Sequence, residues 1–463
     1  MKVTVSRRDF LNMSASTMVS SGLFASMAGF QDALGATTST QGYKALVCVF
    51  LVGGNDSLNW LVPLSNTGYA AYAAARGNIA LPQTTPLALN GVASDGYTYG
   101  IHPGCTELQS LFNASASNLA FINNVGTLIA PVTKSTIQSG AANLPPQLFS
   151  HIDQQIQWMT SIPNSQQRFG WAGRIADLYA SNNYAPKLAM NINVGGVNYW
   201  QSGQNSVPYV LGANGAPVLN NTNNTGYRNG LRANTVLALL NQAATDPNLL
   251  VNQYASIETN ATAKVNIVNN AFAAAGDLTT QFPGYQGDSA LGAQLHEVAR
   301  CIKAQAQLGD ARQIFYVQIA GFDTHNGVVA AQSTLMPILS KNINTFWNAM
   351  KEIQMQSNVT LFTASDFGRS MGSNGDGSDH AWGGHHLVLG GAVNGGKYYG
   401  TMPKIQIGGP DDFGLGQVIP SMATDQYAAR LAQWFGVGPS DLNTLFPNLP
   451  NFSSTVLQSL LTS

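Results

Sequence analysis

The sequence predicts an α/β fold, a mostly parallel central sheet flanked by helices. Two observations carry that prediction. Five short runs rich in β-branched and aromatic residues, at 43–52, 119–125, 314–319, 359–363 and 386–389, read as strands. The first, YKALVCVFLV, is continuously apolar, as a strand covered on both faces would be. Helical stretches at 154–159, 291–306, 335–355 and 424–435 lie between and after the runs, and strands alternating with helices build parallel sheets. Ligand sites in such sheets form at the carboxyl ends of the strands, so the residues just after each run carry the functional information.

Taken in order, the first run stops abruptly in Gly53-Gly54-Asn55-Asp56. Ser150 and His151 stand at the start of the 154–159 helix. The segment 187–230 is rich in Asn and Gly and nearly uncharged, with short candidate strands at 188–194 and 208–211. Tyr199, Trp200, Tyr209 and Tyr227 give it apolar anchors that a linker lacks, so an ordered insertion is expected. After 314–319 comes Gly321-Phe322-Asp323-Thr324-His325, and after 359–363 comes Ser365-Asp366-Phe367-Gly368-Arg369. Ser378-Asp379-His380 and Gly383-Gly384-His385-His386 lead into the last run.

Composition narrows the function. Of 463 residues only 9% are charged, with net charge -1, where soluble domains average roughly 25%. With no basic cluster, nucleic acid and anionic membrane surfaces are excluded as partners. A 44% hydrophobic content implies a large core, and after the N-terminal stretch no apolar run is long enough to predict a membrane span. Ser6-Arg7-Arg8-Asp9-Phe10-Leu11, followed by a mildly apolar stretch and small residues near Ala36, has the twin-arginine export pattern. Residues 1–36 are thus expected to be a leader and 37–463 a single domain. The expected partner is the twin-arginine export machinery and the expected location the periplasm or outside the cell. Cys48, Cys105 and Cys301 suit neither a disulfide framework nor a zinc cluster.

Of seven histidines, four fall between His325 and His386, and a fifth is His151. Asp56, Asp323 and Asp366 each follow a strand. Carboxylates and imidazoles converging from separate strands suit a divalent metal, whether zinc, manganese, calcium or magnesium, as one ion or two. The candidate ligands are Asp56, Asp323, His325, Asp366, His380 and His385. The competing reading makes Asp56 a helix cap and Asp323 and Asp366 turn stabilisers, and of the pair His385-His386 one must face away. Ser150, with His151 beside it, is the candidate catalytic group. A helix start favours an anion, but Ser with Asp153 three residues on is equally a helix cap. Arg369 lies close enough to Asp366 to reach a substrate oxygen, and its fork matches phosphate or sulfate.

Together GGNDSLN, LFSHIDQQ, GFDTH, SDFGR and DHAWGGHHLVLGGAV resemble a bacterial family of twin-arginine-exported proteins, the domain-of-unknown-function 1501 family, placed within the alkaline phosphatase and sulfatase superfamily. The resemblance spans nearly the whole chain after the leader. It implies an alkaline-phosphatase-like core with one or two divalent metals and hydrolysis or transfer of a phosphate or sulfate ester, the substrate being a small molecule or a glycan. By position it implies ligands at Asp56, at Asp323 and His325, at Asp366 and at His380. Two departures stand out: Phe367 follows Asp366 where the phosphatases have His, and Asp323 and His325 are more closely spaced than is usual. A rival function is an extracellular binding or assembly protein that keeps the fold and the metal for structure alone.

Overall fold

Lys44 and Val52 bound the first strand, and they sit at half-buried ends of an otherwise fully buried segment. In chain order the strands are β1 (Lys44–Val52), β2 (Leu61–Pro63), β3 (Leu87–Ala88), β4 (Tyr99–Ile101), β5 (Leu119–Gly126), β6 (Asn191–Asn193), β7 (Tyr209–Val210), β8 (Arg312–Ala320), β9 (Val359–Ser365), β10 (Gly384–Gly390), β11 (Tyr398–Tyr399) and β12 (Met422–Ala423). They belong to a computed structural model that describes residues 42–182, 184–216, 227–283 and 290–462. The expected leader, with Arg7 and Arg8, lies outside the described residues.

Nine strands form one sheet in the order β11-β5-β10-β9-β1-β8-β6-β7, with β12 also on β5. β1 pairs in parallel with β8 and β9, placing Val47 beside both Phe315 and Leu361. β6 continues the parallel set from β8, and β7 from β6. β10 runs against both of its neighbours, so the sheet is mostly parallel. β2, β4 and β3 make a small antiparallel sheet to one side.

Alternation along β1 explains why its sequence is apolar at every position. Val47, Val49 and Leu51 pack with Leu108, Leu295 and Ile343 on one face, whereas Leu46, Cys48 and Phe50 pack with Trp158, Trp171 and Leu431 on the other. The first group meets helices Thr106–Asn113, Ala290–Lys303 and Val328–Glu352; the second meets His151–Thr160, Trp171–Ser181 and Thr424–Phe435. Cys48, Cys105 and Cys301 are buried and unpaired.

The Asn- and Gly-rich segment expected as an insertion over 187–230 supplies β6 and β7, the edge of the main sheet. Trp200 is its fully buried anchor. Residues 217–226 lie outside the described residues. Tyr227 then opens a helical hairpin, Tyr227–Ala243 and Leu249–Ala275, which the sequence does not mark.

Candidate metal centre

The loops after β1, β8 and β9 meet at one edge of the sheet because Gly53 lets them. Its φ is +116°, and a Cβ there would fall 2.3 Å from the backbone nitrogen of Asp323. The Gly53 N–H donates to Asp366 Oδ1 at 3.1 Å. Arg369, buried in the same loops, donates Nε to the Gly54 carbonyl (3.0 Å), Nη1 to the Ser378 carbonyl (2.9 Å), and Nη2 to the Gly53 carbonyl and to Asp323 Oδ1. One guanidinium thus ties three loops together and fixes the Asp323 carboxylate.

Around Asp323 three imidazoles converge. The Nε2 atoms of His325, His380 and His151 lie 3.2, 3.4 and 3.5 Å from Asp323 Oδ1, and those of His325 and His380 are 2.8 Å apart. Each ring is held by its other nitrogen. His151 Nδ1 donates to Asp366 Oδ2 at 2.7 Å, His380 Nδ1 to the Phe149 carbonyl at 2.8 Å, and His325 Nδ1 to Asp379 Oδ1 at 3.2 Å. Gln155 Nε2 adds a second donor to Asp366 Oδ2 at 2.9 Å.

These partners set the tautomers: with Nδ1 carrying the proton, each Nε2 presents a lone pair. Lone pairs 2.8 Å apart beside a carboxylate repel unless a cation, proton or metal ion, lies between them. A tetrahedral ion with ligands at about 2.0–2.1 Å sets them about 3.3 Å from one another, which is close to the spacings to Asp323. Metal-bound histidines characteristically donate the other ring N–H to a carboxylate or backbone carbonyl, as all three do here. The ligand atoms of His151, Asp323 and His380 lie within 4.8 Å of one another. The donor set therefore fits a divalent ion.

Electrostatics follow the contacts. The hydrogen bond to Asp366 raises the His151 imidazole above its ordinary range, against the effect of burial. Burial pushes the Asp323 carboxyl up, but the Arg369 hydrogen bond and charge outweigh it and hold the group below the usual carboxylate range. Burial lowers His380, partly offset by its bond to the Phe149 carbonyl. The Asp323 and His325 side chains remain 49% and 41% exposed, so the centre opens to solvent.

Several expected residues lie elsewhere. Asp56 is fully buried, and one of its carboxylate oxygens is bound by Arg76. Arg76 also holds the Ser370 carbonyl at 2.8 Å. Asp56 is thus in an ion pair outside the converging donors, and its other oxygen has no partner among the described residues. His385 is buried, accepts the Asn124 N–H at 3.2 Å, and is lowered to about 4 by burial; it too stands outside the set. Asp366 orients His151 instead of presenting a free carboxylate. Ser150 caps its helix: its hydroxyl accepts the Asp153 N–H and donates to Asp153 Oδ2. Arg369 is spent on carbonyls and Asp323, which leaves no fork free for a substrate. His151, read as a catalytic neighbour of Ser150, joins the donors.

The sequence reading missed Gln155, Asp379 as a ring anchor, and the Phe149 carbonyl. LFSHIDQQ contains Gln155, and Asp379 adjoins His380, so both had a signal. Phe149 aims its carbonyl from a left-handed backbone, φ +71°, which no residue type announces. A cavity of 580 Å³ lined by Tyr97, Tyr99, Lys404 and Ile405 lies elsewhere and includes none of these residues.

The family model described as "Protein of unknown function (DUF1501)" matches residues 43–409. No curated protein matches the sequence. Among solved structures, Ps i-CgsB in complex with k-i-k-neocarrahexaose is similar at TM-score 0.35 and 9% identity, over 88% of this chain and 77% of that one. A mutant of the alkaline phosphatase PafA is similar at TM-score 0.29 and 10% identity, over 71% of this chain and 64% of that one.

Proposed function

The chain belongs to the DUF1501 family, and from the geometry of its site we propose an exported metal-dependent hydrolase of phosphate or sulfate esters. The observation that carries the metal is the convergence of three Nε2 atoms on Asp323, each ring anchored through Nδ1. The ester class rests on the superfamily that the sequence motifs resemble. Three imidazoles with one carboxylate favour zinc over calcium or magnesium, which prefer all-oxygen shells. A single ion is favoured because Asp56 is bound by Arg76 and Asp366 by His151.

Bound there, a zinc ion supplies Lewis-acid polarisation of an ester oxygen. The chain's own residues do the rest. Asp323 brings negative charge, held in place by Arg369. His151 is oriented by Asp366 and Gln155, and His380 by Phe149. Asp323 and His325 face solvent, so an ester approaches from their side. Ser150 is committed to Asp153, so the attacking group is a water molecule. With three imidazoles and Asp323 as ligands a tetrahedral shell would be filled by protein, so water or an ester oxygen would enter as a fifth ligand, from the side on which Asp323 and His325 are exposed. The twin-arginine pattern at Arg7 and Arg8 supports export to the periplasm or beyond, after folding and metal uptake.

Metal analysis of the purified protein, followed by aryl phosphate, phosphodiester and aryl sulfate substrates, tests the reading. One zinc per chain and turnover that chelation abolishes and zinc restores are expected. Zinc without turnover on any ester would leave the binding or assembly protein as the better account.

A further inference from the structure

The loop after β9 places one apolar side chain among the donors. Phe367 follows Asp366 and is 5% exposed, and its ring touches two of the three imidazoles. Its centroid lies 4.8 Å from that of His151 and 4.7 Å from that of His380, and the two imidazoles are 4.3 Å apart. These separations stand at the close end of the range for packed rings, roughly 4.5–7 Å. The three rings thus form a nearly equilateral triangle, each in contact with the other two. Phe367 is itself held from behind. A Cβ on Gly54 would fall 2.4 Å from its Cε2 and 2.5 Å from its Cδ2, so the ring lies against bare backbone, with the Arg369 guanidinium 5.9 Å from its centroid.

Hydrogen bonds alone do not fix these imidazoles. His151 is tied through Nδ1 to Asp366 and His380 through Nδ1 to the Phe149 carbonyl; such a bond holds one atom, and the terminal torsion of a histidine is broad. A ring turned by roughly 30° about that atom carries Nε2 by about 1 Å, against a tolerance of about 0.2 Å in a metal–ligand distance. Phe367 meets His151 at 39° and His380 at 36°, so turning either plane toward it drives one ring into another. His325 supplies the contrast. It touches His380 and is bonded to Asp379 at 3.2 Å, but makes no ring contact with Phe367 among the described residues. Its side chain is 41% exposed, against 30% for His151 and 23% for His380. Phe367 has no side-chain nitrogen or oxygen, so the flank it covers offers nothing to water or to a second ion, and an apolar shell of this kind controls solvent access to a metal site.

We infer that Phe367 is a positioning residue of the centre: by packing on both rings it sets the planes in which His151 and His380 present Nε2 to Asp323. The inference rests on the reading of these donors as a metal site. Cobalt(II) titrated into the full chain, freed of metal by chelation, is the probe, because its visible absorption reports the arrangement of its ligands; zinc affinity is read by competition. Phe367→Leu keeps much of the apolar volume and removes the flat face. It should bind zinc about 10–100-fold more weakly, as loss of a supporting contact does, and alter the cobalt spectrum. Phe367→Tyr keeps the ring and should restore both. Phe367→Met, more adaptable in packing, is judged by the same two readouts should the Leu variant not fold. A folded variant without the ring that keeps wild-type zinc affinity and the wild-type cobalt spectrum overturns the inference and leaves the metal site standing. Weaker binding with an unchanged spectrum in both the Leu and Tyr variants also overturns it, giving Phe367 a packing role alone. A wild-type chain that takes up neither cobalt nor zinc removes the metal reading, and the inference with it.

Discussion

Two aspartates that look alike in the sequence have opposite duties, and single substitutions separate them. Asp366 acts on the centre through His151, and loss of such an outer partner typically weakens metal binding by about 10–100-fold. Asp366→Asn should lower zinc affinity by that factor in a competition titration. Asp56 and Arg76 form a pair with no exposure at either side chain, and removing one partner of a buried pair costs about 3–5 kcal/mol. Asp56→Asn should therefore lower the denaturant midpoint and leave one zinc per chain; an empty site in that variant would make Asp56 a ligand. Ser150→Ala removes a helix cap, worth about 0.5–2 kcal/mol. Its ester turnover should persist, and turnover lost by orders of magnitude would restore Ser150 as the nucleophile. The Arg76 contact had no local signal, because Asp56 lies in the loop after β1 and its partner closes the helix Asn66–Arg76, 20 residues on.

Between elements, a pH-sensitive junction joins helix His151–Thr160 to helix Thr424–Phe435. Ser161 donates its hydroxyl to Asp425 Oδ2 at 3.1 Å, and burial raises the Asp425 carboxyl to about 7, opposed by the Ser161 bond and the Arg174 charge. The folded state keeps this proton after the unfolded chain, near 3.8, has released it. Stability contributed by the protonated form is thus complete below about pH 4 and lost as pH rises through about 7, by an amount on the order of 4 kcal/mol. Urea unfolding at pH 5 and pH 8 should show the fall, and Asp425→Asn should flatten it; an unchanged slope in that variant would assign the effect to another group. Strands β1, β5, β8, β9 and β10 were legible because burial on both faces makes each a largely apolar run, unbroken over Ala45–Val52 in β1. So was the strand-end placement of Asp323, His325 and Asp366. The hairpin over 227–275 was not, since Leu231, Leu237, Leu239 and Leu240 share no single helical stripe and the arm packs little against the body. Phe149 was unreadable for a different reason: its contribution is a carbonyl, which every residue has.

At the scale of the molecule, the donors reach across the chain from His151 to His380, joining a helix start to the loops after β8 and β9. A ligand that binds only the folded state adds about 2.7 kcal/mol at a free concentration one hundred times its Kd. Chelation should therefore lower the melting temperature and zinc should restore it, and a melt indifferent to chelator would count against the centre. The three sealed thiols carry a separate consequence. Burial pushes each of them well above the ordinary range, so an alkylating reagent can reach them only when the interior opens. Cys48 lies on one face of the sheet and Cys105 and Cys301 on the other. Their labelling rates are thus two independent clocks on one chain: equal rates mean that the layers part together, and unequal rates identify the layer that breathes first.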